Sequence, residues 1–177
     1  MEFKPVRAED KQLIDSYFRQ TESRSCDLAF ASIYLWRKDY QMEFAVCDDM
    51  IIFKSNEERV SFSFPIGAAD PRKPMEQLKE YCKENQIPMI LHSVTRDIEE
   101  YLNQNYPGEF EVEFDRDLSD YIYETQALAE LRGRKYHGKK NHVNKFKKSY
   151  DWSYEEVTDE NLGECLEMLR NWKRTRC

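Results

Sequence analysis

Apolar residues recur at helical spacing in several parts of the chain. Leu13, Ile14 and Phe18 are an example, because residues three and four apart lie on one face of an α-helix. We expect Ser25 or Asp27 to cap the second predicted helix. The helices predicted in this way cover residues 10–19, 27–37, 71–85, 135–149 and 159–174, with one more beginning at Thr95.

Other segments alternate between apolar and polar residues, as Met42, Phe44 and Val46 do. A period of two indicates a strand with one buried face. Residues 42–64 are expected to form three antiparallel strands joined by Asp-Asp and Ser-Asn turns. The wholly apolar residues 89–91 predict a central strand. The remaining strands are predicted over residues 1–6, 110–114, 121–123 and 152–157.

The order of these elements predicts an α+β fold with a mixed sheet. It runs strand, two helices, three strands, helix, strand, helix and two strands, and a basic helix follows. No repeat at solenoid period and no low-complexity tract interrupts this order. After the basic helix, a strand and a helix echo the start of the chain. We therefore expect a first domain over residues 1–150 and the opening of a second, truncated copy over residues 151–177.

The size and composition of the chain suit a globular protein. Its 177 residues, of which 40% are hydrophobic, suffice for one domain with a sizeable core and an extra piece. Five cysteines, an odd number without a C-x-x-C pair, indicate reduced thiols in a cytoplasmic protein. No apolar stretch approaches about 18 residues, so no transmembrane segment is expected. The oligomeric state stays open.

Positive charge is concentrated in residues 132–148, which we name the basic segment. Eight of its 17 residues are Lys or Arg and none is Asp or Glu. Of the 27 basic residues in the chain, the other 19 stand against 34 acidic ones, which leaves a formal charge near −15. A cationic patch in an acidic protein indicates a site for an anion. A nucleotide, an RNA end and a lipid headgroup all stay open as its ligand.

The candidate binding residues lie in the basic segment. On a helix, Tyr136, Val143 and Phe146 fall on one face, and Lys139 lies within this apolar stripe, where it must reach water or meet an anion. Phe146 is expected to fix the helix to the domain. Alternatively, the charges only form a solvated face around these anchors. The residues predicted to bind phosphate or substrate are Arg132, Arg134, Lys135, Lys139, Lys140, Asn141 and Lys145.

The sequence assigns no catalytic residue and no metal site. His137 and His142 are about 140° apart around a helix, so they do not converge on a metal ion as an i, i+4 pair would. His92 is interpreted as a satisfied polar residue at a strand end. No Cys-His or Ser-His-Asp arrangement follows from the spacing. Glu124 is a candidate general base that nothing distinguishes from the other acidic residues.

Three runs of the sequence carry a resemblance to a known family. The first run covers residues 26–40 and begins with Cys-Asp. The second covers residues 119–123 and reads Ser-Asp-Tyr-Ile-Tyr. The third covers residues 133–146 and reads Gly-Arg-Lys-Tyr-His-Gly-Lys-Lys-Asn-His-Val-Asn-Lys-Phe. The element order is similar to that of GNAT-type acyltransferases. The runs resemble soluble relatives of the C-terminal domain of bacterial phosphatidylglycerol lysyltransferases, which are built as two GNAT-like domains in tandem. The resemblance covers nearly the whole chain.

The resemblance implies a GNAT-like fold and an acyl transfer. The donor would be aminoacyl-tRNA, or acyl-coenzyme A (acyl-CoA), and the acceptor a group such as an anionic lipid headgroup. No bound cofactor is expected. The multi-span membrane region of those synthases and most of the second GNAT-like domain are missing from the sequence. The isolated chain is therefore expected to be inactive.

One turn disfavours acyl-CoA as the donor. A GNAT domain normally holds the pyrophosphate of coenzyme A at a Gly-rich turn that opens a helix. The equivalent residues 64–71 contain one glycine and place Asp70 and Pro71 at the helix start. A carboxylate there would satisfy the free N–H groups and repel a phosphate.

Two alternatives to a transferase stay open. The first is a non-catalytic module that binds RNA or an anionic lipid through the same basic helix. The second is a structural half of a tandem protein, whose basic helix docks on the second domain. Both alternatives use the same residues, so the sequence does not decide among the three functions.

Overall fold

A computed structural model describes the chain except residues 24, 58, 117, 118, 120 and 177 and the side chains of residues 175 and 176. The protein is α+β, as predicted, but its described strands pair in an antiparallel sheet rather than in the expected mixed one. It divides into two compact units, Met1–Phe114 and Asp115–Cys177, which we describe separately. The predicted domains, 1–150 and 151–177, stay a prediction.

The first unit contains a four-stranded antiparallel sheet and four α-helices. The strands follow one another in the order β1, β2, β3 and β4 across the sheet. The elements are β1 (Lys4–Pro5), α1 (Lys11–Phe18), α2 (Phe30–Trp36), β2 (Glu43–Cys47), β3 (Met50–Ser55), β4 (Ser61–Phe62), α3 (Arg72–Glu84) and α4 (Arg96–Asn105).

The β2–β3 hairpin fixes the register of the sheet. Asp48 and Asp49 connect the two strands with φ angles of 45° and 58°. Positive φ at both central residues matches the right-handed twist of the flanking strands, and Asp tolerates this conformation better than most residues. Cys47 therefore pairs with Met50. Three antiparallel strands were predicted here, and they are confirmed.

Both faces of β3 are buried, because helices cover each of them. Ile51 and Phe53 pack in a cluster with α1 and α2. Ile52 points to the other face and packs with Phe62 and Leu78, in a cluster that includes α3. A third cluster joins α3 and α4. The core therefore lies on both sides of the sheet.

A partly buried polar network crosses the sheet beside α3. Lys54 Nζ donates to Glu43 Oε2 at 2.9 Å and to the Tyr81 hydroxyl at 3.1 Å, and Asn56 Nδ2 donates to the same Glu43 oxygen at 3.0 Å. Burial acts to raise the pKa of Glu43, but these hydrogen bonds outweigh it, so the pKa lies below its ordinary value. The network stabilises the ionised carboxylate.

Two strand predictions in the first unit are corrected. Residues 89–91 were expected to form a central strand, but they make a single parallel bridge, Phe62 with Leu91. Residues 110–114 form no strand, and Val112 and Phe114 are 52% and 82% exposed. A strand needs a neighbour to complete its hydrogen bonds, which an alternating sequence cannot supply by itself.

The second unit is helical in its described part. It contains α5 (Thr125–Glu130), a 3₁₀ turn (Arg134–Tyr136), α6 (His137–Ser149) and α7 (Leu162–Arg176). The predicted basic helix and the last helix are confirmed, whereas α5 was not predicted. Residues 121–123 and 152–157 are not strands, and Ile122 and Tyr154 are almost fully exposed. As over residues 110–114, an alternating sequence does not form a strand unless a neighbouring strand completes its hydrogen bonds.

Candidate anion-binding surface

The basic segment begins at a backbone conformation that favours glycine. Gly133 has φ +88°, in the region that L-residues rarely adopt. The 3₁₀ turn follows it directly, with the Tyr136 N–H donating to the Gly133 carbonyl at 3.1 Å, and α6 continues from the turn. Among the described residues, no side chain caps the turn or α6. The first amide groups of this helical run therefore have no side-chain acceptor.

A first concave surface lies at the start of the basic segment. It has a volume of about 550 Å³ and is lined by Leu131, Gly133, Arg134, His137 and Lys140. The cationic side chains at this surface coincide with the uncapped start of the helical run. Positive side chains and free amide groups together attract an anion.

A second concave surface, of about 450 Å³, combines cations with aromatic rings. Lys139 Nζ lies 5.7 Å from the centroid of the Tyr123 ring, and Lys135 Nζ lies 4.8 Å from that of Tyr136. These are cation–π distances, so the rings hold both ammonium groups near the surface. The surface is lined by Ile122, Tyr123, Glu124, Ala127, Lys135, Tyr136 and Lys139.

The predicted site residues differ in their charge partners. Arg132 Nε forms an ion pair with Glu130 Oε2 at 3.0 Å. Within the described part of the chain, the other cations of the basic segment have no ion pair. Asn141 and Lys145 are exposed on α6 and line neither concave surface. The structure thus groups four predicted residues, Arg134, Lys135, Lys139 and Lys140, at concave surfaces.

Tyr136, rather than Phe146, holds the basic segment in this unit. Tyr136 is 6% exposed, whereas Val143 and Phe146 are 40% and 50% exposed. The Phe146 ring contacts Tyr150 at the end of the same helix, with ring centroids 5.1 Å apart. The expectation that Phe146 anchors the helix is therefore corrected.

The described residues include no cluster of three or more His, Cys, Asp or Glu side chains that is placed to hold a metal ion. His137 lines the first concave surface, and His142 is exposed. Nor is any helix in the described part of the chain long and apolar enough to cross a bilayer.

The turn that precedes α3 carries a carboxylate at the helix start. Asp70 Oδ1 accepts a hydrogen bond from the Arg72 N–H at 3.0 Å, and the two side chains form an ion pair. Hydrogen bonds from the Arg72 side chain and backbone lower the pKa of Asp70 to about 2. The carboxylate is thus ionised at neutral pH, and it already accepts from a backbone N–H group at the start of this helix.

Sequence spacing missed one pair of chemically active side chains. Ser61 Oγ lies 3.0 Å from His92 Nδ1. The two residues are 31 positions apart and meet because residues 90–92 lie beside β4. His92 makes a side-chain hydrogen bond, as expected, but the strand over residues 89–91 whose end it was expected to occupy is not formed, and no local pattern identified its partner.

Together, the sheet and the cationic helix define a mixed α+β protein with a candidate anion-binding surface. Residues 18–176 match the family described as phosphatidylglycerol lysyltransferase, C-terminal. The chain belongs to this family, and the resemblance seen in its sequence is confirmed. A search of curated proteins found no match.

One solved structure shares the fold over almost the whole chain. It is the crystal structure of a conserved protein of unknown function from Bacteroides thetaiotaomicron VPI-5482, with 30% sequence identity and a TM-score of 0.80. The match covers 99% of this chain and 60% of that protein. This chain therefore spans about three fifths of the length of the protein that it matches.

Proposed function

We propose that this chain is a GNAT-like part of an acyltransferase related to aminoacyl-tRNA-dependent transferases. Its basic segment would bind the phosphates of a donor, such as tRNA, or of an acceptor, such as an anionic lipid headgroup. Membership in the phosphatidylglycerol lysyltransferase family supports the reaction class. The odd number of cysteines without a C-x-x-C pair is the basis for proposing a cytoplasmic location.

One observation carries the phosphate-binding part of the proposal. Arg134 and Lys140 line one concave surface, Lys135 and Lys139 line the other, and none of the four has an ion pair among the described residues. Cationic side chains that line a concave surface without an ion-pair partner favour an external anion. Arg132 is the weaker candidate, because Glu130 already neutralises it.

The proposed reaction is a direct attack by an amine or hydroxyl of the acceptor on the acyl carbonyl of the donor. Binding both substrates supplies the orientation, and nearby positive groups stabilise charge on the carbonyl oxygen. Asn141 would orient a polar group of a substrate from its exposed position on α6. No covalent enzyme intermediate is needed for this reaction.

We further propose that residues 151–177 open a second GNAT-like domain, which activity requires. The matched structure extends beyond the part that this chain covers. In α7, Leu162, Leu166, Leu169 and Trp172 recur at helical spacing and are 42–54% exposed. An exposed apolar stripe of this kind supports packing against further polypeptide.

A transfer assay tests the proposal in a protein that includes the second domain. The protein is incubated with tRNAs that carry radiolabelled amino acids and with phosphatidylglycerol vesicles. We expect label in the lipid fraction and a lower rate for the Lys135→Gln/Lys139→Gln variant. The matched control is Lys11→Gln/Arg72→Gln, which removes two ion-paired cations from the first unit. Transfer that is unaffected by the first variant would contradict the role of the basic segment.

The same assay separates the two alternatives. A binding module would retain charged tRNA or vesicles without loss of the aminoacyl group. A structural half-domain would bind neither, and Lys139→Ala and Lys145→Ala would then lower the free energy of unfolding instead of ligand affinity. The unpaired cations at concave surfaces favour ligand binding over the structural role.

A further inference from the structure

In the first unit, the structure brings a hydroxyl and an imidazole into hydrogen-bond contact. Ser61 Oγ lies 3.0 Å from His92 Nδ1. Two backbone hydrogen bonds fix the segments that carry them: the Phe62 N–H donates to the Ile90 carbonyl at 2.8 Å, and the His92 N–H donates to the Phe62 carbonyl at 2.9 Å. The pair therefore rests on a parallel bridge rather than on two independent loops.

Both side chains lie on the sheet face opposite Phe62. Phe62 and Leu91 pack in the cluster that includes α3. Successive residues of an extended segment point to opposite faces, which directs Ser61 and His92 away from this cluster. Both residues are only partly buried.

The electrostatic surroundings favour a neutral imidazole. Burial lowers the pKa of His92, and the carboxylate of Asp27 acts in the opposite direction. In the tautomer with its proton on Nε2, Nδ1 accepts the hydrogen bond from the Ser61 hydroxyl. A neutral base beside a hydroxyl is the arrangement that activates a serine nucleophile. Asp27 would stabilise the imidazolium that forms when the proton moves.

The backbone next to His92 is strained. Ser93 has φ +54°, a left-handed conformation that is uncommon for residues other than glycine. Backbone strain of this kind concentrates at functional sites, where the surrounding structure holds it.

We propose that Ser61 is a nucleophile toward small activated carboxylic esters and that His92 is its base. Ser61 Oγ forms a bond to the carbonyl carbon while its proton passes to His92 Nδ1. The ester C–O bond then breaks, and the leaving alcohol takes the proton from His92. Water releases the acid from the acyl-serine in the reverse sequence of proton transfers. This activity does not depend on the basic segment or on the proposed transfer reaction.

An alkyl fluorophosphonate tests the pair directly, because it gives a stable adduct. Ser61 Oγ forms a bond to phosphorus, the P–F bond breaks, and the proton passes to His92. We expect one adduct by intact mass and its location on Ser61 by peptide mapping. His92→Gln should lower the labelling rate about 10²- to 10⁴-fold, the usual contribution of a general base. Release of p-nitrophenolate from p-nitrophenyl acetate should fall in parallel.

Controls separate this proposal from folding and from the phosphate-binding surface. Ser16→Ala removes another serine hydroxyl, which donates to the Leu13 carbonyl within its own helix, and should leave labelling unchanged. Inorganic phosphate, added to occupy the basic segment, should leave the labelling rate unchanged. Labelling of the unmodified protein tests the proposal by itself, because it does not depend on whether a variant folds. No adduct, an adduct on another residue, or equal labelling of a folded His92→Gln protein would overturn the proposal.

Discussion

Neutralising two lysines of the second concave surface should weaken RNA binding in a way that salt reveals. Four unpaired cations, Arg134, Lys135, Lys139 and Lys140, line the two surfaces. If each contacts one phosphate of a single-stranded RNA, log K falls with log salt with a slope of about −0.7 × 4, or about −2.8. Lys135→Gln/Lys139→Gln halves the number of contacts, so the slope becomes about −1.4.

The difference is large enough to measure by fluorescence anisotropy of a labelled RNA. Between 50 and 200 mM salt, the wild-type affinity should fall about 50-fold and that of the variant about 7-fold. Both lysines are exposed, so the free energy of unfolding should change by less than about 0.5 kcal/mol. Lys11→Gln/Arg72→Gln makes the same change in net charge and should keep the wild-type slope. Equal slopes for both double variants would refute local phosphate binding.

Three further predictions concern stability. Leu78→Ala removes a fully buried side chain from the cluster beside α3 and should lower the free energy of unfolding in urea by about 2–5 kcal/mol. A smaller loss would contradict a close-packed core at this position. The pKa of Glu43 is lowered in the folded protein, so its stabilisation is present above its ordinary value of 4.5 and is lost as pH falls through the folded value. Glu43→Gln should flatten this part of the pH profile, and an unchanged profile would contradict the network. Gly133→Ala places a side chain at φ +88° and should destabilise the start of α6 by about 1 kcal/mol, which thermal unfolding and RNA affinity would both report.

Local patterns predicted those elements whose partners lie nearby in sequence. Residues 42–46 and 60–64 alternate around the apolar run of residues 51–53, and a two-residue turn pairs β2 with β3, so the β2–β3–β4 meander follows from the sequence. The apolar face of α3 also follows from the sequence, because Met75, Leu78 and Cys82 recur at helical spacing and are buried. In both cases the apolar period matches the period of the structure that buries it.

Predictions failed where structure depends on a distant neighbour. Residues 110–114 and 152–157 alternate as strands do, but no sheet edge pairs with them in their own unit. For the site, the charge pattern identified the basic segment. Only the structure shows that Arg132 forms an ion pair, whereas other cations of the segment line concave surfaces. The contact between Ser61 and His92 depends on the bridge at Phe62, which no local spacing encodes.

Hydrogen exchange tests most directly whether the basic segment receives a phosphate-bearing ligand. Amide exchange is measured across the chain with and without tRNA at low salt. We predict slower exchange from Arg134 through the first turn of α6, because no described side chain caps this helical run and Arg134, His137 and Lys140 line the first concave surface. Unchanged exchange over residues 133–140, with protection elsewhere in the chain, would contradict the account.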